Sequence, residues 1–183
     1  MHYLKTMAQL LSFNPGILTQ GTSLKRLQYY FIFNVLILGL IYGGSAAYLA
    51  GSLLEGRGLD AGNFNGMKVV VAGIPVAFLM HGGMALFAWV FMRAMGGQAN
   101  FVTAYFYMGV ALISLWPAAP FAAALQMGII TPVTKGFGLL FALHGLGVTL
   151  GAAKAAFQLS SLKMALATLV TMSYIGCFLY LWV

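Results

Sequence analysis

Charged residues are scarce in this chain of 183 residues, and acidic ones are almost missing. Only 6 % of the residues are charged, whereas soluble domains carry about a quarter. The two acids are Glu55 and Asp60, and 62 % of the chain is hydrophobic. Charge-free stretches of about 18 or more apolar residues match the hydrocarbon core of a bilayer. The composition therefore excludes an ordinary soluble domain and indicates an integral membrane protein.

Cysteine pairs and membrane-embedded carboxylates are also missing, and their absence excludes several kinds of site. The single Cys177 allows neither an intrachain disulfide nor a cysteine metal motif. Both acids lie outside the charge-free stretches, so a proton relay of embedded carboxylates has no residues. Gly43-Gly44-Ser45 is followed by Ala46 rather than by the glycine that intramembrane serine proteases carry there. We therefore predict a non-enzymatic protein with no catalytic residues, no cofactor and no metal.

Five apolar stretches predict an all-α polytopic membrane protein, a bundle of five transmembrane helices over residues 28–183. The third stretch is ambiguous, because 41 residues from Ala94 to Thr134 carry no charge and include Pro117 and Pro120. Either the helix kinks at the prolines, or residues 118–134 form a re-entrant turn. The predicted spans are 28–53, 69–92, 101–126, 136–153 and 164–183.

Residues 1–27 are predicted to form an amphipathic segment at the membrane interface. Tyr3, Leu4, Met7, Leu10 and Leu11 recur at helical spacing, with polar residues on the opposite face. Such a helix lies along a membrane surface with its apolar face in the lipid.

Lysine and arginine positions predict the orientation in the membrane. Cytoplasmic connections carry the excess of cations in polytopic proteins. With the N-terminus inside, six cations are cytoplasmic and three lie on the opposite face with both acids. We therefore expect a cell inner membrane protein with a cytoplasmic N-terminus and its C-terminus on the opposite face. No basic run is longer than two residues, so nucleic acid is not expected as a partner. The six cations are Lys5, Lys25, Arg26, Arg93, Lys154 and Lys163.

Small residues at helical intervals predict close helix packing. Gly39, Gly43, Ala47 and Gly51 form one ridge on the first span, and Gly147 and Gly151 form a small-xxx-small pair on the fourth. In lipid, helices associate through such close approach. Packing within the chain is the favoured interpretation. Contact with a second copy or with another membrane protein is the alternative.

His81 and His144 are the candidate functional residues, because each lies at the centre of a predicted span. A polar ring there needs a partner and should face the bundle interior. Three interpretations remain open. The rings are neutral and donate to carbonyls of neighbouring helices, or they line a hydrated path, or they are the two axial ligands of a b-type haem or share a metal.

Four short motifs lie along the chain. They are a lead-in with a proline, a Gly-Gly turn, a tyrosine-rich third helix that ends at a proline, and a loop before the last helix. Their residues are Leu10–Pro15, Met95–Phe101, Tyr105 with Tyr107 and Pro117, and Leu159–Ala165. Together they resemble the prokaryotic five-span branch of the YIP (Ypt/Rab-interacting protein) family.

The resemblance implies five spans with a cytoplasmic N-terminus. It does not imply GTPase binding here, because the long cytosolic tail and Asp-Leu-Tyr-Gly-Pro motif of the eukaryotic branch are absent. We expect a protein that shapes the membrane or organises membrane partners. The first alternative is a small channel or transporter with a pathway near His81 and His144. The second is a bis-histidine haem-carrying subunit of a membrane complex.

Overall fold

A computed structural model describes residues 2–19, 23–58 and 64–182, with the surroundings of side chains given as far as Ser173. Asp60 and the side chain of Cys177 lie outside this description. All regular elements described are helical. The helices are α1 (His2–Leu11), α2 (Gly16–Thr19), α3 (Leu24–Gly56), α4 (Gly66–Ala94), α5 (Phe101–Ala111), a 3₁₀ segment (Leu112–Ala118), α6 (Ala119–Gln126), α7 (Pro132–Phe157) and α8 (Ser161–Trp182).

Small polar residues begin four of the long helical segments. Ser23, Asn65 and Asn100 each accept a hydrogen bond from a backbone N–H in the first turn of the helix that follows. Thr131 forms a reciprocal capping box with Thr134 at the start of α7. These caps satisfy donors that have no partner within the helix, so the sequence itself sets where the helices begin.

Four helical segments among the described residues are long and apolar enough to cross a membrane. They are α3, α4, the run Phe101–Gln126 and α7, and they agree in position with the first four predicted spans. Half of the most apolar window of Phe101–Gln126 is buried, against 17 to 28 % in the other three. The third segment is therefore the centre of the bundle, and the other three turn most of their apolar surface outwards. The protein is thus a membrane-embedded helical bundle.

The third segment continues through its prolines. The chain tightens into the 3₁₀ segment at Leu112 and returns to α-helix at Ala119, so helix extends to Gln126. Pro120 lies in the first turn of α6, where a missing N–H costs little. Residues 119–126 are therefore helical rather than part of a re-entrant turn, and the turn to α7 begins at Met127.

The fourth predicted span, 136–153, is shorter than the helix that contains it. Helix α7 has 26 residues and includes Lys135 in its first turn and Lys154 in its last. A lysine stem is long enough to carry its ammonium group from a helix end to water. The two lysines therefore do not mark the ends of this helix.

Glycines bring α3 and α4 into backbone contact. A Cβ at Gly39 would lie 2.7 Å from the Cα of Ile74, and one at Gly43 would lie 2.6 Å from the carbonyl oxygen of Val70. Gly73 of α4 faces both glycines. No larger residue fits at these positions without separating the helices. The prediction that the Gly39–Gly43 ridge packs within the chain is confirmed.

Candidate functional site

Residues 2–19, called the N-terminal segment from here on, are docked on the bundle rather than lying apart from it. Met7 and Leu10 of α1 and Leu18 of α2 belong to one buried apolar cluster with residues of α3, α5 and α7. Thr6 is also buried, whereas Leu4 is exposed. The apolar face of α1 is thus covered by protein over much of its length. The interfacial position of this segment stays a prediction.

Asn34 is the polar centre of this docking site. It is fully buried in α3. Its Nδ2 donates to the carbonyl oxygen of Val110 at 2.7 Å, and its Oδ1 accepts from the hydroxyl of Tyr3 at 2.5 Å. Nδ2 also lies 3.5 Å from the sulfur of Met7. Asn34 therefore connects α3, α5 and α1 through one amide.

The Tyr3 hydroxyl is held in an environment that favours its neutral form. Its ring packs edge-on against Tyr30 and Phe33, with centroids 5.1 and 5.4 Å away. Burial, and then the neighbouring Tyr30, raise the pKa of Tyr3 to about 12. Tyr3 accordingly donates to Asn34 as a neutral phenol at any physiological pH.

Gly147 and Gly151 of α7 receive the turn that follows α1. A Cβ at Gly147 would lie 2.9 Å from Cε1 of Phe13, and one at Gly151 would lie 3.6 Å from Cγ of Pro15. Phe13 has a positive φ of 58°, which turns the chain sharply at this point. The pair thus serves packing within the chain, as predicted, but its partner is a turn and not another spanning helix.

Two further hydrogen bonds hold the N-terminal segment. The hydroxyl of Tyr107 in α5 donates to the carbonyl oxygen of Leu18 at 3.0 Å. Nε2 of His144 lies 3.3 Å from the carbonyl oxygen of Leu11, and its ring contacts Phe13 edge-on at 5.2 Å. One of the two predicted site residues is therefore part of this docking site.

His81 lies elsewhere, in an aromatic environment between α3, α4 and α5. Its Nε2 lies 3.0 Å from the carbonyl oxygen of Tyr105 in α5. The rings of Phe31 and Tyr105 pack against it at 5.4 and 4.7 Å. A Cβ at Gly109 would come within 2.9 Å of Nε2, so this glycine makes room for the imidazole. His81 thus has the position that the carbonyl-donor interpretation describes.

The two histidines face different partners. A carbonyl partner requires an N–H on Nε2, and a nitrogen that carries a proton has no lone pair for a metal. Axial coordination through Nε2 would require both rings to leave their carbonyls. Among the residues that the structure describes, no group of three or more His, Cys, Asp or Glu is placed to hold a metal ion.

Cations gather at the end of the bundle where α4 and α7 end. Nη1 of Arg93 donates to the carbonyl oxygen of Gly97 at 2.8 Å, and Nζ of Lys154 donates to Oγ of Ser161 at 2.8 Å. The ammonium group of Lys163 lies beside Gly96, 3.4 Å from where a Cβ would be. The N–H of Gln98 donates to the carbonyl oxygen of Phe157, which joins the α4–α5 turn to the end of α7.

Asn34 is not among the site residues predicted from the sequence. The residue lies ten positions into α3, within a charge-free stretch. Its side-chain amide is uncharged, so a count of charged residues does not detect it. The available signal was a lone Asn among apolar residues, because a buried amide in lipid needs partners.

Searches for similar proteins find no matching family model, no matching curated protein and no matching solved structure.

Proposed function

We propose that this chain is a non-enzymatic, YIP-like protein of the cell inner membrane that shapes the membrane through its helix bundle. The observation that carries the proposal is the docked N-terminal segment. It packs against the first half of α3 through Asn34 and against α7 from its middle onwards through His144, Gly147 and Gly151.

The position of the segment gives the bundle a wedge shape. Asn34 is ten residues from the start of α3, and Gly147 is ten residues from the end of α7. At 1.5 Å per residue, both contacts lie about 15 Å from the same end of the bundle. The N-terminal segment therefore adds width in one half of the membrane. A bilayer around such a shape lowers its free energy by curving.

The proposed arrangement has five spans with a cytoplasmic N-terminus. Helix α8 has 22 residues, about 33 Å of helix, which is enough for a hydrocarbon core of about 30 Å. Six of nine cations then lie on the cytoplasmic face, where the added width also lies. The motifs at Leu10–Pro15 and Met95–Phe101 support the YIP-like assignment. The bilayer is the primary partner, with a second copy or other membrane proteins as further ones.

The proposal is tested by imaging reconstituted vesicles as the protein-to-lipid ratio rises. The native chain should narrow the vesicles or draw them into tubules. Gly147→Leu should weaken this effect, because its side chain occupies the space of Phe13. Gly136→Leu is the matched control on the same helix, since no atom lies within 4 Å of a Cβ there.

The same vesicles test the alternatives. Ion flux is measured between about pH 5 and 8, where free histidine titrates. Flux that is lost in His81→Ala would contradict the proposal and support the channel or transporter function. A haem absorption band in the purified protein would instead support the haem-carrying subunit. Equal vesicle shapes with and without the protein would also contradict the proposal.

A further inference from the structure

A groove lies beside the cationic end of the bundle, between α2 and the last turns of α7. Its size is about 560 Å³, within the range of about 300–1,000 Å³ that is common for small-molecule sites. Its lining residues are of two chemical kinds. Pro15, Gly151, Ala155 and Leu159 supply the apolar part, and Thr19, Lys154 and Gln158 supply the polar part.

Lys154 and Ser161 form a donor pair at the polar rim. The Lys154 ammonium donates to the Ser161 oxygen, so the serine O–H and two ammonium hydrogens are left to donate. An acceptor with several oxygens, such as a phosphate, matches this pair. Two carbonyls at the end of α7 already accept bonds, that of Lys154 from Gln158 and that of Phe157 from Gln98.

The charge around the groove has one sign. Arg93 donates to the carbonyl oxygen of Gly97 in the adjoining turn, and the ammonium group of Lys163 lies beside Gly96 of the same turn. Glu55 lies in the last turn of α3, and Asp60 follows it in the sequence before α4, so both acids precede the start of α4 and not the end that adjoins the groove. A second groove of about 430 Å³ contains Lys68, in the first turns of α4, the helix that directly follows both acids in the sequence. Charge complementarity therefore favours an anion at Lys154.

We infer that the groove binds one anionic phospholipid, with its phosphate at Lys154 and Ser161 and its glycerol and upper acyl chain on the apolar residues. The inference rests on the proposed embedding of the bundle in a bilayer. It adds a specific lipid partner to the proposed function. A free phosphate would use only the polar rim, whereas a lipid uses both parts of the groove.

The test compares retention of phosphatidylglycerol and phosphatidylcholine on the purified full chain by native mass spectrometry, from equimolar micelles. Lys154→Gln should lower the retention of phosphatidylglycerol about fivefold, the factor for a cation contribution of about 1 kcal/mol. Lys135→Gln is the matched control, because it removes a cation from the other end of α7, and it should leave retention unchanged. Lys154→Arg should retain the lipid, and Ser161→Ala should lose part of it.

Each outcome decides the inference. Equal losses in Lys154→Gln and Lys135→Gln would indicate a diffuse charge effect and overturn it. Displacement of the lipid by millimolar inorganic phosphate would show a free-phosphate site and also overturn it. If Lys154→Gln does not fold, Ser161→Ala carries the test, and unchanged retention in that variant overturns it. Vesicle shaping measured in pure phosphatidylcholine needs no anionic lipid, so failure of the proposed function is distinguished from failure of this site.

Discussion

Asn34 concentrates three polar contacts in one fully buried side chain of α3. Asn34→Leu keeps a similar volume but leaves the Tyr3 hydroxyl and the Val110 carbonyl without their partner. We expect a loss of about 1–3 kcal/mol in the free energy of unfolding, the cost of unsatisfied buried groups. Amide hydrogen exchange of residues 2–19 should rise as the N-terminal segment loosens.

The control for this substitution is Ser52→Ala on the exposed surface of the same helix. Among the described residues, the Ser52 hydroxyl donates only to the carbonyl of Tyr48 in its own helix, so the change should stay within about 0.5 kcal/mol. Equal hydrogen exchange in Asn34→Leu and the native chain would show that Asn34 does not hold the segment.

The Tyr3 phenol gives the docking a pH dependence. Its pKa is raised from 10.0 to about 12 when the segment is docked. The docked state therefore binds this proton more tightly than the released state. The resulting stabilisation is fully present below pH 10 and is lost as the pH rises towards 12.

We expect hydrogen exchange of residues 2–19 to increase between pH 10 and 12 more than the intrinsic base-catalysed rate does. Tyr3→Phe keeps the ring packing but removes the hydroxyl proton that dissociates, so hydrogen exchange in this variant should lack the additional increase between pH 10 and 12. The same increase in Tyr3→Phe would assign the pH dependence to another group.

At the scale of elements, the contact between α3 and α4 depends on glycine at defined positions. A Cβ at Gly73 would meet backbone atoms of Gly43 at 2.8 and 2.9 Å. Gly73→Ala must therefore separate the two helices and should cost about 1–3 kcal/mol in thermal unfolding in detergent. Gly83→Ala on the same helix meets no atom within 4 Å. It should be neutral or stabilise by up to about 1 kcal/mol.

The reverse order of stability in these two alanine variants would contradict the packing of α3 on α4. Their comparison is matched, because both replace one helical glycine of α4 by the same residue.

Sequence alone predicted the helical segments because a charged side chain has a high free energy in lipid, so stretches without charge mark the segments that cross it. It could not predict the ends of α7, since Lys135 and Lys154 are part of the helix. It also predicted that Gly147 and Gly151 pack within the chain. The periodicity of small residues gives the face that packs, but not the partner, which is Phe13 with Pro15. The same holds for His144, whose acceptor lies 133 residues away in sequence.

At the scale of the whole molecule, the proposed five-span arrangement puts the two chain ends on opposite faces of the membrane. Reporter domains fused after Val183 and before Met1 should therefore be active in different compartments. Activity of both reporters in one compartment would contradict the five-span arrangement. Moving the Lys25-Arg26 pair to the opposite connection should lower the fraction in the expected orientation.

The contact between Leu11 and His144 also sets an order of events during synthesis. Ribosomes add about 5–20 residues per second, and these two residues are 133 positions apart. The first helix of the chain consequently waits roughly 7–27 s before the part of its docking surface that α7 supplies has been made. Throughout that interval α1 has only the surfaces of α3 and α5 to pack on, and a nascent chain halted before α7 keeps the docking site incomplete.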